Sequence, residues 1–241
     1  LMEHRSDSGA NPIPRGARRP LTIPCTGEAV QAHGLKAVFL ATPPEVSMDI
    51  TASLLEAGAV VVDLSGAFRL GTAENYKHWY REEHTAAALL PSAVYGLPEF
   101  YRDRVKGARL ISNPGCYPTA ANLAIAPLVK AGLLDRAAGI ICDAKSGVSG
   151  AGRKPSLKTH YCEATENFSA YSLLDHRHVP EVLMNSGLDD SEFSFVAHLI
   201  PADRGILETI HFRGAEDGLT AAAIVETYER FYQGEPFVRL Y

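Results

Sequence analysis

The chain has 241 residues, 46% of them hydrophobic, with 23 basic against 28 acidic residues and a formal net charge of −5. That much apolar sequence can bury one large core or two smaller ones, and charge spread so evenly leaves no basic stripe to follow a phosphate backbone, which argues against nucleic acid as a partner. No apolar run approaches the roughly 20 residues that span a bilayer, and the opening LMEHRSDSGANPIPRGARRP lacks the apolar stretch of a secretory signal, so a cytoplasmic protein without a membrane partner is expected.

Along the chain, strand-like and helix-like segments alternate, the pattern of an α/β protein. KAVFLAT (36–42) is a compact apolar run of strand length, followed by Pro43-Pro44 and the helical pattern EVSMDITASLLEAGA. AVVVDLS (59–65) is a second β-branched run, so the two strands and the helix make a βαβ unit. RLISNP reads as a third strand ending at Pro114, and GIICDAKSG as a fourth ending in a Gly/Ser-rich loop. SEFSFVAHLI and RGILETIHFRG then form longer alternating runs joined by the short turn PADR, which favours an antiparallel or mixed sheet. The last helix is expected over LTAAAIVETYERFYQ, and EPFVRLY reads as a closing strand. A boundary near Gly115 divides the chain into a nucleotide-type α/β domain, 1–115, and a mixed α+β domain, 116–241.

The four cysteines, Cys25, Cys116, Cys142 and Cys162, form no CxxC pair and no zinc-ligand spacing with histidine, so neither a metal site nor a disulfide framework is expected. Each must be judged by its surroundings, and a free cysteine is most often a small core residue. Cys116 differs because Asn113-Pro114-Gly115 ends a strand and turns the chain into an apolar helix. Unpaired N–H groups and the helix dipole at that point favour an anion, lowering a thiol from its usual pKa of about 8.5 toward thiolate at neutral pH. DHRHVPE supplies His176 and His178 as proton carriers, with Glu181 close by. SGVSGAGRKPS (146–156) could bring backbone donors up to a phosphate or an amide, with Arg153 and Lys154 adding charge, and its bland alternative is a flexible loop. DLSGAFRL offers Ser65 and Arg69 at a strand end, a hydroxyl and a guanidinium suited to phosphate, against the plainer role of a surface ion pair for Arg69.

ISNPGCYPTAANLAIAP, together with DLSGAFRL, YGLPE, DAKSGVSGAGRKPS, THYCEATENFSAY, HRHVPE and HLIPADRGILETIHF in that order, resembles the N-acetyl-gamma-glutamyl-phosphate reductases, relatives of aspartate-semialdehyde dehydrogenase. The resemblance implies an incomplete Rossmann-type parallel-sheet domain plus an α+β catalytic and dimerisation domain with a mixed, largely antiparallel sheet. It implies NADPH as cofactor, an acyl-phosphate substrate and a homo-oligomer, dimer or tetramer. Cys116 would form a thioester with the substrate, and a histidine of HRH would move protons, with His176 favoured as base and His178 as its substrate-orienting neighbour. Ser65, Arg69, Asn113, Glu163 and Arg204 would hold the substrate. Arg5 and Ser6 would meet a 2′-phosphate, Ala41, Thr42 and Pro43 would lie by the dinucleotide, and Ser146, Gly147, Ser149 and Gly150 by the nicotinamide. The chain departs from the family in having no G-x-x-G-x-x-G turn before Arg5 and no segment after PFVRLY that returns to the nucleotide domain, so truncation at both ends is expected. Ala67 also stands where the family more often has Asp. Three other readings compete: a sister reductase acting on an aminoadipyl phosphate, a non-catalytic remnant unable to bind dinucleotide, and a cysteine hydrolase built on Cys116 and His176.

Overall fold

The computed structural model describes residues 2–3, 22–152, 154–215 and 219–241. Two compact units divide between Asn113 and Pro114. In the first, strands β1 (Met2–Glu3) and β2 (Ile23–Pro24) pair in parallel ahead of α1 (Gly27–Ala32), β3 (Ala37–Leu40), α2 (Pro44–Glu56) and β4 (Val60–Asp63). Then follow α3 (Ala73–Tyr80), β5 (Ala93–Tyr95), α4 (Pro98–Lys106) and β6 (Leu110–Ser112). A second sheet runs in the order β3-β4-β6-β5 with every pairing parallel. Parallel neighbours cannot be joined by a hairpin, and α2 and α4 are the crossovers their connection requires.

Val38, Leu40, Val61 and Leu110 turn one face of this sheet into a core shared with Met48 and Leu54 of α2. Register then fixes the geometry that matters for function. Leu40 lies opposite Asp63, and Asp63 opposite Ser112, so the carboxyl ends of three strands finish side by side. Ala41–Pro43, the 64–69 loop and Asn113 therefore leave the sheet along one edge, where parallel α/β sheets bind ligands.

The second unit opens with α5 (Cys116–Lys130) and continues through β7 (Ile140–Gly147), α6 (Tyr161–Ala164), β8 (Ser169–Tyr171), α7 (Val179–Ser186), β9 (Phe193–Ile200), β10 (Ile206–His211) and α8 (Ala221–Phe231). Its sheet has the order β10-β7-β9-β8, with β7–β9 parallel and the other two pairings antiparallel. It is mixed, as the sequence pattern suggests, yet β9 and β10 do not pair across the PADR turn, because β7 lies between them. Ile140, Cys142, Ala144, Phe193, Phe195 and Ala197 alternate onto one buried face, and α5 packs against α7, α8 and β10. Thr220 caps α8 by accepting the Ala223 N–H at 3.2 Å, and the phenols of Tyr228 and Tyr232 donate to the carbonyls of Ala124 and Leu123 on α5, each at 2.5 Å.

One expected element is corrected. EPFVRLY is not a strand: its Val238 N–H turns back onto the Glu235 carbonyl and Phe237 is 90% exposed, since a β-run holds its shape only against a partner ladder and none is present among the described residues. Two three-residue strands, β5 and β8, are additions that the pattern does not announce.

Candidate active site

Cys116 is the first residue of α5 and is exposed, whereas Cys142 is buried in β7. The packed-thiol alternative thus holds for Cys142 and fails for Cys116. Gly115, the N-cap, has ordinary extended backbone at φ −64°, ψ 154°, so flexibility does not explain it. Space does: a Cβ there would lie 2.8 Å from both Glu181 Oε1 and His178 Nε2. Glu181, in the first turn of α7, is fully buried and accepts the Gly115 N–H through Oε2 at 2.8 Å. Its own carbonyl accepts from Asn122 Nδ2 of α5 at 3.3 Å and from Asn185 Nδ2 at 2.6 Å, which pins the histidine-bearing helix start to the cysteine helix.

His176 and His178 are both buried, with ring centroids 4.8 Å apart. The His178 backbone N–H donates to His176 Nδ1 at 3.2 Å, so the neutral His176 ring carries its proton on Nε2. Burial, assisted by the adjacent Arg177 charge, pushes His176 down to about 4, so the ring is neutral near pH 7. Tyr117, Tyr171 and Phe195 present edges to it at 5.5, 5.6 and 5.4 Å between centroids. His176, expected as base, is in this arrangement a donor through Nε2, while His178 is the histidine beside the Cys116 turn.

Tyr117 and Tyr171 are contributors that sequence reasoning missed. Their hydroxyls lie 3.0 Å apart, and Tyr117 also donates to the His198 carbonyl at 3.3 Å. Burial first, then the Tyr171 contact, raises Tyr117 above the usual phenol range, so it acts as a neutral group. Its place directly after Cys116 is the available signal.

The Gly/Ser segment is no loose loop. The N–H groups of Gly147, Val148 and Ser149 donate to Gly205 O, Ala202 O and Asp203 O at 3.0, 2.8 and 3.1 Å. These three donors are therefore spent within the protein, which corrects the expectation that they reach a ligand. The stitching does bring the turn bearing Arg204 against Ser146–Ser149, and a Cβ on Gly147 would come within 2.8 Å of the Arg204 nitrogen. Ser146 is buried and donates to Gly147 O at 3.0 Å, with Gly150 closed over it. The Arg204 side chain is exposed, as is Glu163 on α6.

In the first unit, Ser65 gives its proton to Asp63 Oδ2 at 2.8 Å and accepts the Ala67 N–H at 3.1 Å. Ser65 thus shapes the loop instead of offering a hydrogen to a phosphate. Arg69 donates to Asn113 O at 2.8 Å and to Leu64 O at 2.9 Å, tying together the chain ends that follow β4 and β6. Ala67 is fully buried. Thr42 Oγ1 lies 2.8 Å from Ser47 Oγ, and α2 starts at Pro44 behind an N-cap, Pro43, that makes no side-chain cap bond, which leaves first-turn donors that fit an anionic part of a dinucleotide. Arg5 and Ser6 lie outside the described residues, as does Arg153.

The described residues thus form a parallel α/β unit followed by a mixed-sheet unit that carries a helix-head cysteine and two buried histidines. The chain belongs to the semialdehyde dehydrogenase family: its residues 116–241 match the family's dimerisation domain and residues 19–108 its NAD binding domain. N-acetyl-gamma-glutamyl-phosphate reductases from Magnetococcus marinus and Methanopyrus kandleri are 47% and 48% identical over 204 residues, covering 83% and 84% of this chain and 58% of each relative. The one from Symbiobacterium thermophilum is 47% identical over 211 residues, covering 86% of this chain and 60% of the relative. The chain thus spans about three-fifths of the length of the curated relatives it matches. Aspartate semialdehyde dehydrogenase with NADP from Candida albicans has a similar fold at TM-score 0.61 and 16% identity, covering 94% of this chain and 63% of that one. The Vibrio cholerae enzyme aligns at TM-score 0.58 and 17% identity, over 81% of this chain and 60% of that one. Among the described residues, no helix is long and apolar enough to cross a membrane.

Proposed function

We propose that this chain is the reductase part of an NADPH-dependent N-acetyl-gamma-glutamyl-phosphate reductase, working in the cytoplasm as a homo-oligomer in arginine biosynthesis. Residues 1–115 serve the dinucleotide, through Ala41, Thr42 and Pro43 and through Arg5 and Ser6. Residues 116–241 serve catalysis, substrate and subunit contact, with Asn113, Glu163 and Arg204 contributing to substrate binding and Ser146, Gly147, Ser149 and Gly150 shaping the floor beside it.

Cys116 Sγ attacks the acyl carbon, the carbon–oxygen bond to phosphate breaks, and phosphate leaves with the electron pair, giving a thioester on Cys116. His178, beside the Cys116 turn, takes the thiol proton. Arg69 neutralises the phosphate charge as it departs. When bound, NADPH supplies the hydride for the thioester carbon. His176 donates its Nε2–H to the hemithioacetal oxygen, steadying the anion until the carbon–sulfur bond breaks and the semialdehyde leaves. Cys116 is then a thiolate again. Glu181 holds the Gly115 N–H and fixes the nucleophile's turn throughout.

The observation that carries this reading is the exposed Cys116 at the head of α5, with Glu181 and His178 packed directly behind its N-cap. Its test is to incubate the chain with N-acetylglutamyl phosphate without NADPH and look by intact-mass spectrometry for an acyl adduct on Cys116. The adduct should be absent from Cys116→Ser and discharged by hydroxylamine. Failure of wild-type protein to acylate would overturn the reading.

A further inference from the structure

His84 lies in the segment after α3, outside the expected site residues, and is only 8% exposed. Both ring nitrogens are used. Nε2 lies 2.8 Å from the Ala67 carbonyl, and the Ala86 backbone N–H reaches Nδ1 at 3.2 Å. A carbonyl only accepts and an amide only donates, so a single form satisfies both: neutral imidazole with its proton on Nε2. Locked in that tautomer, the ring has no nitrogen left to exchange protons with a substrate. Its edge-on contacts with Phe68 at 5.7 Å and Tyr76 at 4.9 Å fix its plane.

What His84 grips is the middle of the 63–69 loop. Asp63 takes the Ser65 N–H and hydroxyl, the Ser65 oxygen takes the Ala67 N–H, and His84 takes the carbonyl of that same residue. Ala67 is thereby held on both sides of its α-carbon, two residues before Arg69. Arg69 in turn is aimed by the Leu64 and Asn113 carbonyls. Without His84, a fully buried carbonyl loses its donor, and the cheapest relief is rotation of the loop that carries the guanidinium.

We propose that His84 is a positioning residue that presets Arg69 for the departing phosphate. This rests on the phosphate role given to Arg69 above. Phosphate affinity reads this role without turnover.

Inorganic phosphate binding to the 241-residue chain is to be measured by titration calorimetry at low ionic strength for wild type, Arg69→Leu, His84→Phe and His84→Gln. His84→Phe keeps the ring's shape and should weaken phosphate on the order of tenfold, since small misplacements of a charged clamp are costly. His84→Gln, which can still donate to the Ala67 carbonyl, should recover most of that loss. In the active full-length enzyme the same variants should raise KM for the acyl phosphate while kcat stays within about threefold. If Arg69→Leu binds phosphate as wild type does, the phosphate role of Arg69 falls. If Arg69→Leu weakens binding while folded His84→Phe does not, or if Gln fails to rescue, the positioning role of His84 falls.

Discussion

The carboxylate of Glu181 accepts the backbone N–H of Gly115 at 2.8 Å with the acid fully buried on α7. Removing it strands that donor in the interior. Glu181→Ala should lower stability by about 1–3 kcal/mol, the cost of leaving a buried donor without its acceptor. Glu181→Gln keeps an accepting oxygen and should lose less. Chemical denaturation midpoints of the two variants check the order.

Gly115→Ala tests the space and not the backbone. The added methyl would strike Glu181 Oε1 and His178 Nε2 at 2.8 Å, while φ −64° suits alanine without strain. Overpacking of this kind costs about 1–3 kcal/mol. The expected result is a folded protein whose Cys116 alkylates more slowly than wild type, read by timed iodoacetamide labelling.

Cys116 and Cys162 are both exposed, but they sit on unlike helices. Cys116 heads a 15-residue helix, and Cys162 lies inside a four-residue turn of helix with little aligned dipole. Peptide mapping after brief alkylation at pH 7 should find Cys116 labelled first. Preferential labelling of Cys162 would contradict the helix-head environment.

Two groups, the buried His176 and the part-buried Glu208, should tilt stability with pH in opposite directions. Glu208, beside the buried Cys142 thiol at 3.6 Å, is pushed up to about 8 by burial. A raised acid pKa means that the unfolded chain releases its proton first, so this group's stabilisation is whole below about pH 4.5 and drains away as pH climbs to about 8. Glu208→Gln should flatten that decline and be the more stable protein at pH 8.5. His176, held down at about 4, behaves the other way. Its unfolded form protonates first, so stability is whole above about pH 6.5 and falls as pH drops toward 4. Thermal melts across pH 4–9 for wild type, Glu208→Gln and His176→Phe would separate the two.

Much of this was legible in the chain, for local reasons. Pro114 and Gly115 break a strand where an apolar helical pattern begins, and that alone puts Cys116 at a helix head. Strands β3, β4 and β7 show through the apolar runs AVFL, VVV and IIC that open them, and the three-residue β6 shows through the Pro114 that follows it. Strands β5 and β8 are three residues each and exist through their edge partners, which no local pattern encodes. The two runs joined by PADR announce a sheet but not its order, because the strand between them, β7, pairs Ile140 with Phe193 from far earlier in the chain. Ser65 reads as a phosphate donor because a hydroxyl at a strand end is visible in the sequence, whereas its capture by the Asp63 carboxylate two residues earlier depends on the turn of the loop. The Tyr117–Tyr171 contact joins residues 54 apart and needed coordinates.

The place of β7 carries a cost in time. Its two neighbours, β9 and β10, are both made later, with Ile140 opposite Phe193 and Ile141 opposite His211. On a ribosome adding on the order of 5–20 residues per second, the central strand must wait several seconds, one apolar face unpaired, until both flanks have been synthesised. Contacts so distant in sequence also slow folding once the chain is complete. Helix α5, finished well before either flank, emerges with no sheet yet to lie on, so the second unit is the part of this protein most exposed to chaperones and to misassembly at birth.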